Sequence, residues 1–406
     1  MPEFLPPLPP VVSHAAIFGA LVVLGLFAGE ATRRYLSLPR ITGYVVAGAL
    51  LGPQALGLLT DDMLFDLRLL IDLSVGLIVF ELGFRLDVKW LRANRWLLVT
   101  AIAESLFCFW AIFGALAFFG FRPVLAAMAA AIGTATSPAV VLMVSNDLRS
   151  EGQVTERMML FTAVNTVFAY LVVALLLPFV HLEQKASLLT AVLHPAYVFA
   201  GAVLAGALAC LVLFALARWL GKNEDRQFVL LASMVFVTIG LAHSLKLSVV
   251  VALVTFGMLA RNLDRRHVLL PVRFGHGGEL FFVILFVLTG ASLEFNALGV
   301  AAAAAVAAYV IARFLGKAHG LLLFGKLSGL PVGGAGLLAI ALLPMSGLAV
   351  VMVRDTVSLY PTFGKELAAI VLSAVVVLEL FGPLATQFAL RRAGESHPER
   401  QPGHGR

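Results

Sequence analysis

A chain of 406 residues that is 61% hydrophobic and 13% charged, with a mean hydropathy of +0.98, is excluded from the soluble globular class, whose members run about half apolar and about a quarter charged. The formal charge of +6 would point to nucleic acid in a soluble protein, but most Lys and Arg here sit in short links between apolar runs, where they set membrane topology. Cys108 and Cys210 both lie inside apolar runs, so no disulfide framework is implied.

From the N-terminus, the Pro-rich start PEFLPPLPP lacks the basic stretch of a cleavable secretion signal and runs into an apolar segment. A bilayer core takes about 17–25 apolar residues per helix. Apolar runs between charged breaks then predict thirteen spans, starting near His14, Ile41, Leu69, Trp96, Val124, Met158, Leu188, Phe228, Leu247, Glu279, Leu298, Val332 and Glu366. The eighth and ninth are parted only by the His243–Lys246 break. A single transmembrane domain over residues 1–390 and a short polar tail over 391–406 are expected.

Loop charges orient the spans. With the N-terminus outside and the C-terminus cytoplasmic, cytoplasmic links carry 21 basic residues and external ones six; Arg313 and Lys317 lie within a span. Thirteen spans divide into six, a connecting seventh and six more, an arrangement that inverts one half relative to the other, as in many secondary transporters.

Two spans are interrupted at matching places in the two halves. The fifth contains Gly133-Thr134-Ala135-Thr136-Ser137-Pro138 and the twelfth Leu343-Pro344-Met345-Ser346-Gly347. Proline removes a backbone donor and glycine weakens a helix, so both spans are expected to unwind in mid-membrane. Freed carbonyls and the hydroxyls of Thr136, Ser137 and Ser346 then face an ion.

A charge inside a span costs at least about 2.5–3.5 kcal/mol and marks a functional position. Arg313 lies eleven residues inside the eleventh span, about 16 Å deep, and Glu104 about 12 Å inside the fourth. Asn165-Thr166 in the sixth lies at nearly the same depth. Depth makes Glu104 the expected counter-ion of Arg313 and the first candidate proton carrier. The alternative for Arg313 is snorkelling toward the cytoplasmic surface beside Lys317. Glu379, midway along the last span, is the second candidate carrier. The nine histidines form no ligand spacing, and no phosphate loop or nucleophile elbow is present. Neither a metal, a cofactor nor an enzyme activity is expected.

The stretch Leu38-Pro39-Arg40-Ile41-Thr42-Gly43-Tyr44, running to Leu51-Gly52-Pro53, resembles the second span of monovalent cation:proton antiporters. It looks most like their second large group, of Na⁺/H⁺ and K⁺/H⁺ exchanger type. LSVGLIVFELGFRLD resembles the third span, GTATSPAVV the first crossing helix, FFVILFVLTGASLE the tenth span and LLPMSGLAVVMV the second crossing helix. The likeness follows this order along essentially the whole chain. It implies an all-α polytopic fold of about thirteen transmembrane helices, with two inverted repeats and a pair of discontinuous crossing helices. It further implies a homodimer, a mobile core over about 96–180 and 298–390, and a dimerisation part over about 13–95 and 188–293. Thr136, Ser137 and Ser346 match the crossing-helix breaks, and Arg313 the basic residue of the eleventh span. One position departs. The family's sixth span carries Asp-Asp, Asn-Asp or Gln-Asp, whose final Asp exchanges cation for proton; here Asn165-Thr166 stands there, and threonine does not titrate.

The function expected is therefore secondary transport of a monovalent cation against protons across the cell (inner) membrane, with lipid and a second copy as partners and no nucleic acid. The alternatives are uncoupled or anion transport on the same scaffold, or a membrane sensor that carries nothing.

Overall fold

The computed structural model describes residues 14–183, 187–264, 276–292, 300–345 and 347–397. Among the described residues there are seventeen α-helices, a 3₁₀ turn at Gly325–Ser328 and no strand. In chain order the helices begin with α1 (His14–Leu36), α2 (Arg40–Leu51), α3 (Asp61–Asp66), α4 (Arg68–Phe84), α5 (Val88–Ala93) and α6 (Arg95–Phe118). Next come α7 (Pro123–Thr134), α8 (Pro138–Leu148), α9 (Gln153–Glu183), α10 (Leu188–Leu220), α11 (Glu224–Ser244) and α12 (Val249–Leu263). The last are α13 (His276–Ala291), α14 (Val300–Phe324), α15 (Val332–Ala341), α16 (Gly347–Leu359) and α17 (Pro361–Arg392).

Each expected span start falls within five residues of a helix start. Among the described residues eight helical stretches are long and apolar enough to cross a membrane, and Arg40–Leu51, Val249–Leu263, Leu280–Ala291 and Val332–Ala341 are shorter apolar helices. Helix is the form these runs take because it pairs their N–H and C=O groups within one segment, which lipid requires. The two expected interruptions are real: α7 and α8 are parted at residues 135–137, and α15 ends before a non-helical stretch at residues 342–345. Of the residues singled out in the sequence, Ser346 lies outside the described residues, as do 293–299 and the tail beyond 397.

The chain divides into two compact units. One takes residues up to 71 together with 275–293, and so contains α1, α2, α3, the first turn of α4 and α13. Within it Gly48 of α2 lies against the Val287 backbone of α13, and Gly290 of α13 against the Val45 backbone of α2. Small residues let helices come this close in lipid, where contact rather than the hydrophobic effect drives association. The other unit takes residues 72–274 and 294 onward, with α5–α12 and α14–α17. Its most extensive helix pair is α6 against α14.

The tail after α17 folds back within this second unit. The Glu395 carboxylate accepts hydrogen bonds from Val154 N (2.8 Å), Thr155 N (2.7 Å) and Thr155 Oγ1 (2.8 Å). It thus caps the first turn of α9, where a negative charge also meets the positive end of the helix dipole. Two backbone bonds continue the clasp, Glu151 N to Glu395 O (3.1 Å) and His397 N to Leu148 O (2.9 Å). Replacing this cap, Glu395→Ala, is expected to lower stability by about 1–2 kcal/mol. The drop is read as an earlier thermal unfolding of the detergent-solubilised protein.

Candidate functional site

The two interruptions meet. Ser137 N donates to Pro344 O (2.9 Å) and Thr136 Oγ1 to Leu342 O (3.2 Å), so the break after α7 touches the break after α15. Ser137 itself opens α8: its hydroxyl accepts from Val140 N (3.4 Å), with Pro138 at the first helical position, where no N–H is needed. What the breaks leave over is carbonyl oxygen. The last turns of α7 and α15 have no following N–H to bind, and both present the negative end of a helix dipole.

Arg313 fills that deficit. It projects from α14 with no solvent exposure. Its Nη1 donates to Gly133 O, and Nη2 to Ala135 O (2.8 Å), Leu342 O (3.3 Å) and Pro344 O (3.3 Å), with Nε and Nη2 both 3.4 Å from Leu343 O. A planar fork with five N–H groups and a permanent charge is the side chain able to serve so many acceptors at once. Both the expected pairing with Glu104 and the snorkelling alternative are therefore corrected: the guanidinium is engaged by carbonyls from the two backbone breaks, and it does not reach the surface.

The counter-ion of Glu104 is Lys317, one helical turn beyond Arg313 on α14. Lys317 Nζ lies 2.5 Å from Glu104 Oε1, and neither side chain has any solvent exposure. The ammonium also donates to Thr134 O (3.2 Å) and Thr136 Oγ1 (3.3 Å). Asn165 completes the cluster from α9, donating through Nδ2 to Glu104 Oε1 (3.4 Å) and Thr136 Oγ1 (3.3 Å). Its Oδ1 accepts from Ser105 Oγ (2.8 Å). Three helices and a break thus supply one carboxylate, one ammonium, one amide, two hydroxyls and a free carbonyl in a solvent-shielded layer.

Two glycines make this arrangement possible. A Cβ on Gly316 would lie 2.6 Å from Cys108 Cα, and one on Gly320 2.6 Å from Glu104 Cα. The Gly-x-x-x-Gly spacing therefore seats α14 directly on the α6 backbone. Lys317, between them, is held against Glu104. The same α14 face carries Tyr309, whose hydroxyl donates to Ala129 O (3.0 Å) on α7.

Of the residues singled out in the sequence, Thr136, Asn165 and Glu104 meet in this cluster, and Arg313 lies one turn away. Ser137 is spent on capping α8. Thr166 is fully buried, but its hydroxyl donates to Thr162 O (2.8 Å) on its own helix. Glu379 is fully buried on α17, three residues before Gly382, which abuts Pro344 at the second break. Lys317 and Ser105 were missed. The signal was present in the four-residue stripe Tyr309, Arg313, Lys317 and in the glycines at 316 and 320, which put both cations on one closely packed face.

A model of the transmembrane sodium/hydrogen exchanger family matches residues 19–392. None of the curated proteins matches the chain in sequence. Among solved structures, the sodium proton antiporter MjNhaP1 from Methanocaldococcus jannaschii at pH 8 superposes with a TM-score of 0.64 at 15% identity, over 93% of this chain and 95% of that one. An electron-microscopy structure of the same antiporter gives 0.69 at 16% identity, over 95% and 99%. Identity this low carries the likeness of fold alone.

A double-mutant cycle tests the ion pair. Lys317→Met alone strands a buried carboxylate and is expected to cost about 3–5 kcal/mol of stability. Adding Glu104→Met should restore much of the loss, so that the two changes are far from additive in thermal unfolding. Gly320→Val should prevent folding of either form, because its branched side chain enters the α6 backbone.

Proposed function

Since the chain belongs to the sodium/hydrogen exchanger family, we propose that it exchanges a monovalent cation, Na⁺ or K⁺, for protons across the cell (inner) membrane. In this reading it crosses the bilayer thirteen times with its N-terminus outside and its C-terminus cytoplasmic. It works as a homodimer, with residues of about 96–180 and 298–390 moving against a dimerisation part of about 13–95 and 188–293.

The observation that carries the proposal is the oxygen cradle around Lys317 Nζ: Glu104 Oε1, Thr134 O and Thr136 Oγ1. An ammonium group and a bare monovalent cation ask for the same kind of shell, a negative oxygen supplemented by neutral ones. When Lys317 gives up one N–H proton to water, the nitrogen keeps the electron pair and the cradle loses its positive charge. A cation entering beside Glu104 restores it. Reprotonation of Lys317 expels the cation in turn. Glu104 keeps a positive partner throughout, either the ammonium or the cation. Arg313 stays charged, because guanidinium does not titrate in proteins and the carbonyls of both breaks hold it.

This assigns the exchanged proton to the Glu104–Lys317 pair and asks nothing of Thr166 or Glu379. The charge in the layer is the same with a proton bound as with a cation bound, so one-for-one exchange is electroneutral. A second reading draws on the surplus of positive charge, two cations to one carboxylate, which would suit an anion. The carbonyl shell of Arg313 argues against it, since that charge is already met by helix ends.

In proteoliposomes the wild-type protein is expected to acidify or alkalinise the lumen in response to a Na⁺ or K⁺ gradient, at a rate that an imposed membrane potential leaves unchanged. Lys317→Met and Glu104→Gln should each cut that rate at least about a hundredfold, the loss of one buried charge-assisted contact. Normal exchange by Lys317→Met would overturn the mechanism. Anion flux without any cation-dependent proton movement would replace it with the second reading.

A further inference from the structure

A cavity of about 590 Å³ opens within the second compact unit, between the α5–α6 link, the first turns of α9 and the 3₁₀ turn that follows α14. Thr100 Oγ1 on α6 donates to Phe324 O (3.1 Å), and Arg157 Nη2 on α9 to Ser328 O (2.8 Å), so the starts of α6 and α9 stand level with the end of α14. All three helices are long and apolar enough to cross a membrane, and their shared end therefore lies at its surface.

The cavity wall carries both signs of charge. Arg95 and Arg157 supply guanidinium groups and Glu156 a carboxylate, and none of the three forms a salt bridge among the described residues. Arg157 is held in place through Ser328 O and through Gln153 Oε1, which accepts from Nη1 (2.9 Å); its Nε has no acceptor among the described residues. The Glu395 carboxylate beside Gly152 is already engaged by the first turn of α9. Further positive potential comes from α6 itself. The Asn94 side chain does not cap this 24-residue helix but donates to Trp90 O (3.0 Å), which leaves an uncapped first turn at Arg95 and Trp96. Trp90 and Trp96 line the cavity with half-exposed indole rings, and the Arg95 guanidinium stands 5.8 Å from the Trp96 ring centroid.

A lone anion in this cavity would face Glu156, and a lone cation would face two arginines. A group with a phosphate and a primary ammonium joined by a short linker meets both. We propose that the cavity binds a phosphoethanolamine group, its phosphate on Arg95, Arg157 and the start of α6, its ammonium on Glu156 and an indole face. Guanidinium forks and helix N-termini suit phosphate oxygens, and a carboxylate beside an indole suits an ammonium. A phosphoglycerol head lacks the ammonium and leaves Glu156 unmet. A phosphocholine head has no N–H to give the carboxylate. The group reaches the cavity either on a phospholipid of the adjoining leaflet or on water-soluble glycerophosphoethanolamine. Nothing in this inference draws on the exchange reading.

The test follows thermal unfolding of the full chain, delipidated in detergent, as dioleoyl phosphatidylethanolamine, phosphatidylglycerol or phosphatidylcholine is added to the micelles. Phosphatidylethanolamine should delay unfolding with a half-saturating mole fraction about tenfold below that of the other two, the worth of one charge-assisted hydrogen bond. Arg95→Gln should raise that fraction about tenfold. Glu156→Gln should erase the preference for phosphatidylethanolamine over phosphatidylglycerol while leaving the response to phosphatidylglycerol as strong or stronger. Both side chains are exposed and neither holds another helix, so both variants should unfold like the wild type without lipid. Glycerophosphoethanolamine alone delays unfolding if the source is soluble and fails to do so if acyl chains are required; each result upholds the site and assigns its source. An equal response to the three lipids, or a response that neither variant alters, would overturn the proposal.

Discussion

The second unit is organised around one guanidinium. Two helices, α7–α8 and α15–α16, are each broken in mid-course, and each break exposes carbonyl oxygens that water would satisfy at a surface but cannot reach here. Arg313 takes up Gly133 O and Ala135 O from one break and Leu342 O, Leu343 O and Pro344 O from the other. A permanent positive charge in lipid-shielded surroundings is costly by itself, and so are orphaned carbonyls. Brought together they cancel. The breaks can exist because Arg313 is there, and Arg313 can be buried because the breaks are.

In the proposed mechanism that cancellation leaves the rest of the layer for exchange. Once Arg313 is committed to backbone, it no longer competes for Glu104, and the carboxylate is left to Lys317. The two cations thus divide the work although they stand one helical turn apart on α14. Guanidinium, with its fixed fork and fixed charge, holds structure; in the proposed mechanism ammonium, compact and able to lose a proton, is the group that exchanges. Asn165 and Ser105 keep the carboxylate and the Thr136 hydroxyl in place from the neighbouring helices. In the proposed scheme Thr166 on α9 has no titrating part to play; the ammonium stands on α14 and the carboxylate on α6.

Close packing is what makes the pair work. Gly316 and Gly320 bring the α14 backbone onto α6 at Cys108 and Glu104, and Lys317 Nζ stands 2.5 Å from Glu104 with neither side chain exposed. At the start of α9 the Glu395 cap fixes the first turn of the helix that carries Asn165.

Hydropathy by itself determined the membrane-spanning, all-helical class and the helix starts, because the bilayer demands apolar runs of set length whatever surrounds them. It also placed both interruptions, since Pro138, Pro344 and their glycines act on their own backbone. Depth along each span placed Glu104, Arg313 and the Asn165-Thr166 pair in one layer. Depth is a single coordinate, however, and side-chain partners are chosen by rotation about the helix axis and by how closely axes approach. Those depended on Gly316 and Gly320 meeting α6, on Thr166 turning back to Thr162, and on five backbone carbonyls converging from two distant segments on Arg313. Only the tertiary structure could decide them, and with them that Glu104 belongs to Lys317: backbone carbonyls have no letter in a sequence, yet they outbid a carboxylate for the guanidinium.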